Sequence, residues 1–491
     1  MRSTRVLHLT FNLALALASA DALAISQDSV LADLVNAQTP GSWMRVNANE
    51  FQSVWTPGDQ RPSPGGASPR YVISAWSGGG YDSNTGDFYV WGGDNGTYSG
   101  NEVYRWTASS LEWERLSLPS AIANTAVFDS GRDYWQTVDG PNHAPISGET
   151  FDNVVYLPKV NRLAVIGGNA YPGGGLQYFL EDTVTRAGPF FFDPAKGDAN
   201  KVGGLTGSQA NAAAYPDVVG GNMWENRQSI ETSAGVVGAT ALGDGASAVT
   251  VIDGKDVVFV SERGSGRNGR LFKYTVNSLD AAEDTWEIVG SLGGKTFSGS
   301  GAGAYDSTHN LFLRTGRTSQ FVFDEAQGAF VKKSVNSLMF WDLNTAGEDN
   351  PIVYIHPDDL LGDDFPLSND MGIDYDPLTE AFYLWAGMDE VWKLTPPAII
   401  GAQGWMVEKL DPLSDMFGLV PSLEGARFTG VYGKWNYMDG LGAFMGVAHD
   451  LTGDVWIYKP MSAVPELDIY GMMLVGLGMI GWCARRVKHL E

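Results

Sequence analysis

One pattern of apolar and polar positions recurs along the chain. An apolar residue leads into a turn rich in Asp, Asn, Gly or Pro, and a hydrophobic run opens seven positions after it. The spacing links Tyr81 with Phe88, Tyr156 with Leu163, Val251 with Val258, Tyr305 with Phe312, Tyr375 with Phe382 and Tyr437 with Phe444. Turn formers flanked by apolar runs predict a β-hairpin at each place. Gly92-Gly93 and Gly167-Gly168 close two of the second strands, where the lack of a side chain lets backbones approach.

A third strand rich in aromatics follows most hairpins: Val103–Trp106, Leu271–Tyr274, Met339–Trp341 and Val391–Leu394. A fourth often opens on Trp, as in Trp113–Leu116, Trp286–Val289 and Trp405–Val407. In the second unit, Phe190–Phe192 and then Val202 take these places. Four strands per unit, a glycine pair after the second, Tyr in the third and Trp opening the fourth resemble the Kelch repeat. Gly92, Gly93, Tyr104 and Trp113 carry that signature most fully. Over residues 43–460 the resemblance implies an all-β fold, a Kelch-like β-propeller with six blades of four antiparallel strands.

The last unit ends at Val455–Tyr458 with Lys459-Pro460 and has no Trp-led fourth strand. Trp43–Val46 has the missing spacing, so this N-terminal strand is expected to complete the last blade and remove a sheet edge. The long interval between Tyr156 and Val251 leaves room for a degenerate seventh blade. No helix longer than two turns is expected outside the terminal segments.

The two ends read differently from the middle. Arg2 and Arg5, an apolar run from Val6 to Ala18, and the small-residue exits at Ala18–Ala20 and Ala22–Ala24 describe a signal peptide over residues 1–24. At the other end Pro465 and Glu466 precede sixteen uncharged residues, 469–484, and then Arg485 and Arg486. The apolar stretch predicts a short transmembrane helix, with the arginines staying on the cytoplasmic side. This order, over residues 464–491, resembles the PEP-CTERM sorting signal, with Leu467 where that motif has its second proline. The resemblance implies export, transient anchoring in the inner membrane, an exosortase-type processing enzyme as partner, and a link to exopolysaccharide or biofilm at the cell surface or beyond it.

Composition narrows the partners. A net charge of -25 repels phosphate backbones, so nucleic acid is not expected to bind. The single cysteine, Cys483, lies in the membrane segment, which leaves no intrachain disulfide and no cysteine-based metal site. Some Kelch propellers are copper radical oxidases that need a cysteine-linked tyrosine; Cys483 cannot supply it, so that cofactor is excluded.

Candidate binding residues come from the loops. His143 and His356 lie on long loops, but no histidine pair stands at metal-ligand spacing and no H-E-x-x-H occurs. Trp76, Tyr98, Tyr171 and Trp224 sit in Gly-rich loops or hairpin approaches, where exposed rings suit sugar faces. Asp82 and Asn84 in the first hairpin turn, and Asp358 and Asp359 in an acidic loop, have oxygen density suited to calcium. Turn formation accounts for the first pair without a metal, and a solvated loop for the second.

With no recognisable catalytic motif, the reading from sequence is a non-enzymatic binding or scaffold protein for a glycan or an exported protein. The alternative is a carbohydrate-active hydrolase or lyase using loop carboxylates. A carboxylate pair converging on the central cavity distinguishes the two, because it favours the enzyme.

Overall fold

The computed structural model describes residues 29–461, apart from 63–65, 67, 125–134, 141, 172–174, 177–187, 206–219, 230–241, 263–268, 346 and 348. Strands dominate, and among the described residues six sheets have four strands or more. Sheet one contains Gly79–Tyr81, Phe88–Trp91, Val103–Trp106 and Trp113–Arg115. Sheet two contains Val154–Leu157, Arg162–Val165, Phe190–Phe192 and Trp224–Asn226. Sheet three runs Ala246–Ile252, Lys255–Ser261, Leu271–Val276, Thr285–Gly290. In sheet four, Gly303–Asp306 and Phe297–Ser298 flank the long strand Leu311–Asp324, followed by Ala329–Asp342 and Val353–Ile355. Sheet five orders Gly372–Asp376, Ala381–Trp385, Val391–Thr395 and Met406–Leu410, with Leu361–Gly362 added in parallel. Sheet six comprises Trp435–Met438, Ala443–Ala448, Asp454–Lys459 and Ser42–Arg45.

The first strand of each sheet lies beside the first strand of the next, from sheet one round to sheet six. The short 3-10 turn Tyr432–Lys434, leading into sheet six, packs back on Gly79–Tyr81 of sheet one. Six apolar clusters fill the spaces between neighbouring sheets, including the space between six and one. The arrangement is propeller-like.

Alternation along the strands explains why it holds. Phe88 and Val90 pack toward sheet six, and Tyr89 and Trp91 pack toward sheet two. A strand buried on both faces reads as an unbroken apolar run, and all four of these residues are buried.

Five of the six hairpins keep the predicted pairing: Tyr81 opposite Phe88, Tyr156 opposite Leu163, Tyr305 opposite Phe312, Tyr375 opposite Phe382 and Tyr437 opposite Phe444. The third departs, because Val258 faces Val249 and Val251 faces Asp256. Its turn has only two residues, Asp253 and Gly254, both at positive φ (52° and 73°). That left-handed pair matches the strand twist and shortens the loop, so the register moves by two.

Two further expectations change, and the alternative of a seventh blade falls away among the described residues. The fourth strand of sheet two is Trp224–Asn226, whereas Val202 forms only isolated bridges to Leu118 and Gly220. The interval from Tyr156 to Val251 completes sheet two, and its described residues form no seventh blade. A helix of eight residues, Val30–Ala37, packs Leu31 and Val35 against sheets one and six, with the Ser29 hydroxyl accepting from Ala32 N.

The closing strand behaves as its tryptophan spacing predicts. Ser42–Arg45 pairs antiparallel with Trp456–Lys459, placing Trp43 opposite Tyr458. Trp43 packs 5.6 Å from Trp385, 6.1 Å from Trp435 and 5.3 Å from Tyr458, and its indole N–H donates to Asp389 O at 2.9 Å.

The signal-peptide segment 1–24, Pro465, Glu466, the 469–484 stretch, and Arg485 with Arg486 lie outside the described residues. Among the described residues no helix is long and apolar enough to cross a membrane.

Candidate functional site

The ring of first strands leaves a cavity of about 360 Å³ at the end where those strands begin. Its wall follows from one register position. The residue three before the first strand is Trp76, Phe151, Ser300, Asn369 and Tyr432 in sheets one, two, four, five and six, and all five line it. Sheet three contributes Asp244, two positions before its first strand. Asp370 and Thr429 complete the approach loops, and Arg317 enters from the second strand of sheet four.

Three aromatic wall residues hold left-handed backbones: Trp76 (φ 53°), Phe151 (φ 51°) and Tyr432 (φ 47°). Bulky residues rarely adopt this conformation, which costs on the order of 1–3 kcal/mol each and concentrates at functional sites. Neighbouring backbone groups enforce it. Phe151 N donates to Trp76 O at 2.6 Å, and Trp76 N to the Thr429 hydroxyl at 2.8 Å. The Asp370 carbonyl accepts from Val431 N at 2.8 Å and Tyr432 N at 3.4 Å. Phe151 then meets Tyr432 edge to face at 5.4 Å.

Acidic groups gather at this mouth. Asp244 Oδ1 accepts from Asn169 Nδ2 at 2.7 Å, and Asn169 also hydrogen-bonds the Glu149 carboxylate. Asn169 and Glu149 are opposite one another in a small sheet of Gly148–Glu149, Asn169–Ala170 and Gly175–Leu176. Asn95 Nδ2 gives Glu149 a second donor at 2.9 Å. Burial above all, then the charges of Asp94 and Asp244, push the Glu149 carboxyl up to about 7. Glu149 and Asp370 also raise the Tyr432 phenol, whose larger cause is burial. Arg317 supplies the cavity wall with positive charge and is held by Asn336 Oδ1 at 3.2 Å. The site therefore combines a carboxyl that burial raises to about 7, two further acidic side chains, a guanidinium and aromatic faces.

Beneath the cavity, buried charges stitch the first strands together. Asp152 Oδ2 accepts from Ser247 N at 2.6 Å and Gly303 N at 2.8 Å, joining sheets three and four to the approach of sheet two. Burial raises its carboxyl. Lys434 donates to the Ser77 carbonyl, and burial brings its ammonium down to about 7 against the opposing pull of Asp152. Arg314, also fully buried, donates to Ser261 Oγ at 2.6 Å and Thr315 O at 3.0 Å. Asp374 takes amide donors from Tyr437 at 2.6 Å and Tyr375 at 2.8 Å, while burial lifts its carboxyl to about 7. Asp152 and Asp374 both line a second cavity of about 80 Å³ along the central channel.

The structure sorts the residues proposed from sequence. Trp76 lies in the mouth cavity and is 36% exposed. Tyr98 is instead core: it is buried, and its hydroxyl, with that of Tyr104 and Thr56, converges on buried Glu102. Trp224 is also core, edge-on to Trp91 at 5.8 Å and Phe192 at 5.1 Å, as the tryptophan that opens a fourth strand. Tyr171 is buried against Trp135 and Ile146. These three cannot offer an open ring face to a sugar.

His356 caps the 3-10 turn Pro357–Asp359, with Nδ1 3.3 Å from Ser337 Oγ and 3.4 Å from Thr318 Oγ1, and does not line the cavity. His143 lies on a loop where its amide donates to Gly140 O at 3.2 Å, also outside the cavity wall.

The proposed calcium ligands serve local turns. Asp82 accepts from Asn84 N at 2.8 Å and from the Thr85 hydroxyl at 2.9 Å, and Asn84 Nδ2 reaches Pro158 O and Asn161 Oδ1. Asp359 accepts from His356 N at 3.0 Å and Gln403 Nε2 at 2.7 Å, with Asp358 beside it in the same turn. Among the described residues no group of three or more His, Cys, Asp or Glu is placed to hold a metal ion.

Sequence reasoning passed over Phe151, Glu149, Asp244, Asp370, Arg317 and Tyr432. The available signal was positional, since most of these precede the first residue of a predicted hairpin by a few places. It becomes meaningful only once the first strands are known to ring one axis.

No family model matches the chain, and no curated protein matches it. Solved structures do. An α-L-arabinofuranosidase from Fusarium graminearum, a mutant in complex with an iminosugar inhibitor, aligns at TM-score 0.39 and 9% identity, covering 84% of this chain and 97% of that one. The same organism's α-L-arabinofuranosidase with an iminosugar inhibitor aligns at TM-score 0.37 and 9% identity, covering 84% and 98%. No residue-by-residue correspondence follows from likeness at that level.

The expectation of a non-enzymatic binding or scaffold protein is corrected. It rested on the sorting-tail resemblance and on the lack of a recognisable catalytic motif, whereas the mouth cavity brings Asp244 and Asp370 together with Glu149 near Asp244.

Proposed function

We propose that the chain is a carbohydrate-active hydrolase on a six-bladed Kelch-type propeller, acting on a glycan bound in the mouth cavity. The observation that carries this reading is that Asp244 and Asp370 line one aromatic-walled cavity from separate loops, while Glu149, joined to Asp244 through Asn169, is raised by burial to about 7. Glycoside hydrolysis needs such an asymmetry, one carboxyl protonated to donate and another ionised.

Glu149 is the proton donor to the departing glycosidic oxygen. Asp370 or Asp244, both in the cavity wall, is the partner that stabilises the cationic sugar or activates water. Trp76 and Tyr432 offer ring faces to the sugar, and Arg317 a donor to its hydroxyls or to an acidic substituent. The two terminal segments support export of this activity, with sorting by an exosortase-type enzyme as part of the same proposal.

The test is a panel of aryl glycosides, α-L-arabinofuranosides among them, and of oligosaccharides, assayed with purified residues 25–462 and with the Glu149→Gln variant. Turnover by the parent that drops about 10²- to 10⁴-fold in the variant, with an unchanged thermal midpoint, is the expected result. No turnover across the panel, or an undiminished rate in Glu149→Gln, overturns the proposal.

A further inference from the structure

The second and third strands of sheet four run far past the rest of their sheet. Leu311–Asp324 and Ala329–Asp342 pair continuously from Leu311 opposite Asp342 to Asp324 opposite Ala329. Their neighbours stop early, with Val353–Ile355 reaching only Leu338 and Phe297–Ser298 only Arg317 and Thr318. Residues 319–334 form a two-stranded arm whose described strand partners are each other.

The arm starts at the mouth cavity, because Arg317 lines that cavity. Side chains alternate along a strand, so Arg317, Ser319, Phe321 and Phe323 share one face. The register adds Asn336, Ser334, Lys332 and Phe330 to it as direct cross-strand partners. Three phenylalanines on this face are open to solvent: Phe321 at 67%, Phe323 at 51% and Phe330 at 69%. Phe323 and Phe330 lie 5.3 Å apart, edge to face.

At about 3.3 Å per residue, Phe321 stands about 13 Å and Phe323 about 20 Å beyond Arg317. An isolated two-stranded ribbon gains little from exposing three large apolar rings, which marks the face as one that something covers. Arg317 and Lys332 also make it cationic in a chain of net charge -25.

We propose that this face is an extended binding platform for a polysaccharide, continuing from the mouth cavity outward along the arm. The proposal rests on the hydrolase reading for the cavity and adds the class of substrate, a polymer long enough to occupy cavity and arm together. Phenyl rings stack on the apolar faces of successive sugars, while Arg317 and Lys332 bond hydroxyls or carboxylates. Continuity of one strand face with the cavity is what favours a glycan over other occupants. A second copy of the chain is the competing occupant.

Native gels containing branched arabinan, xylan or alginate test it, comparing the parent, Glu149→Gln, and the triple variant Phe321→Ser/Phe323→Ser/Phe330→Ser. The expected result is retardation of the parent by at least one polymer, retained in Glu149→Gln and weakened tenfold or more in the triple variant. Since the three serine substitutions are at exposed positions, an unchanged thermal midpoint checks the fold. Retardation by none of the polymers overturns the platform, as does equal retardation of the triple variant. A parent that sediments as a dimer, and a triple variant that sediments as a monomer, overturns it in favour of self-association. Failure of the hydrolase reading appears separately, as absent turnover with polymer binding intact.

Discussion

At the scale of single residues, environment rather than residue type sets the chemistry. The chain has 57 acidic side chains, and their number hides the few that matter. Glu149 differs because its strand partner is Asn169, its surroundings are largely dry, and two like charges stand nearby. Its protonated form is the one that donates, and its carboxyl sits at about 7. Activity should therefore hold below that value and decline as pH rises through it, giving a basic limb in kcat/KM. Measured on a glycoside substrate, a limb nearer 4 would show that Glu149 is not the donor. Trp224 and Tyr98 teach the complementary lesson. Their loops are glycine-rich in sequence, yet both rings are buried, because one opens a strand and the other caps a buried carboxylate network.

At the scale of elements, the hairpin spacing was legible because each turn carries its own conformational signal. The one misjudged register belongs to Asp253-Gly254, where a two-residue turn replaced a longer loop while the seven-residue spacing persisted by coincidence. The closing strand was legible too, since Trp43–Val46 repeats a spacing that the last unit lacks. It also predicts a stability effect. Trp43 joins sheets five and six through four aromatic neighbours, so Trp43→Ala should cost about 3–5 kcal/mol. Chemical denaturation checks this, and a loss below about 1 kcal/mol would mean that the ring closes without it. The arm of sheet four had no such signature, because its mixture of apolar and polar positions looks like any half-buried strand.

At the scale of the whole molecule, a net charge of -25 works against compactness. Raising ionic strength from about 0.01 M to about 0.15 M shortens the screening length from about 30 Å to about 8 Å. The thermal midpoint should rise over that range, and scanning calorimetry in sodium chloride tests it; an unchanged or falling midpoint would show that local ion pairs outweigh the global repulsion. The amino-acid sequence by itself determined the hairpins, the aromatic third strands and the tryptophan that closes the ring, because turn chemistry and two-residue alternation act over a few positions. It did not determine the cavity. Trp76, Phe151, Asp244, Asn369 and Tyr432 are spread over more than 350 positions of the chain, and none is unusual where it stands. Only closure of six sheets around one axis brings the same register position of successive units to one mouth, and only the folded chain supplies the burial and the neighbouring charges of Asp94 and Asp244 that raise Glu149.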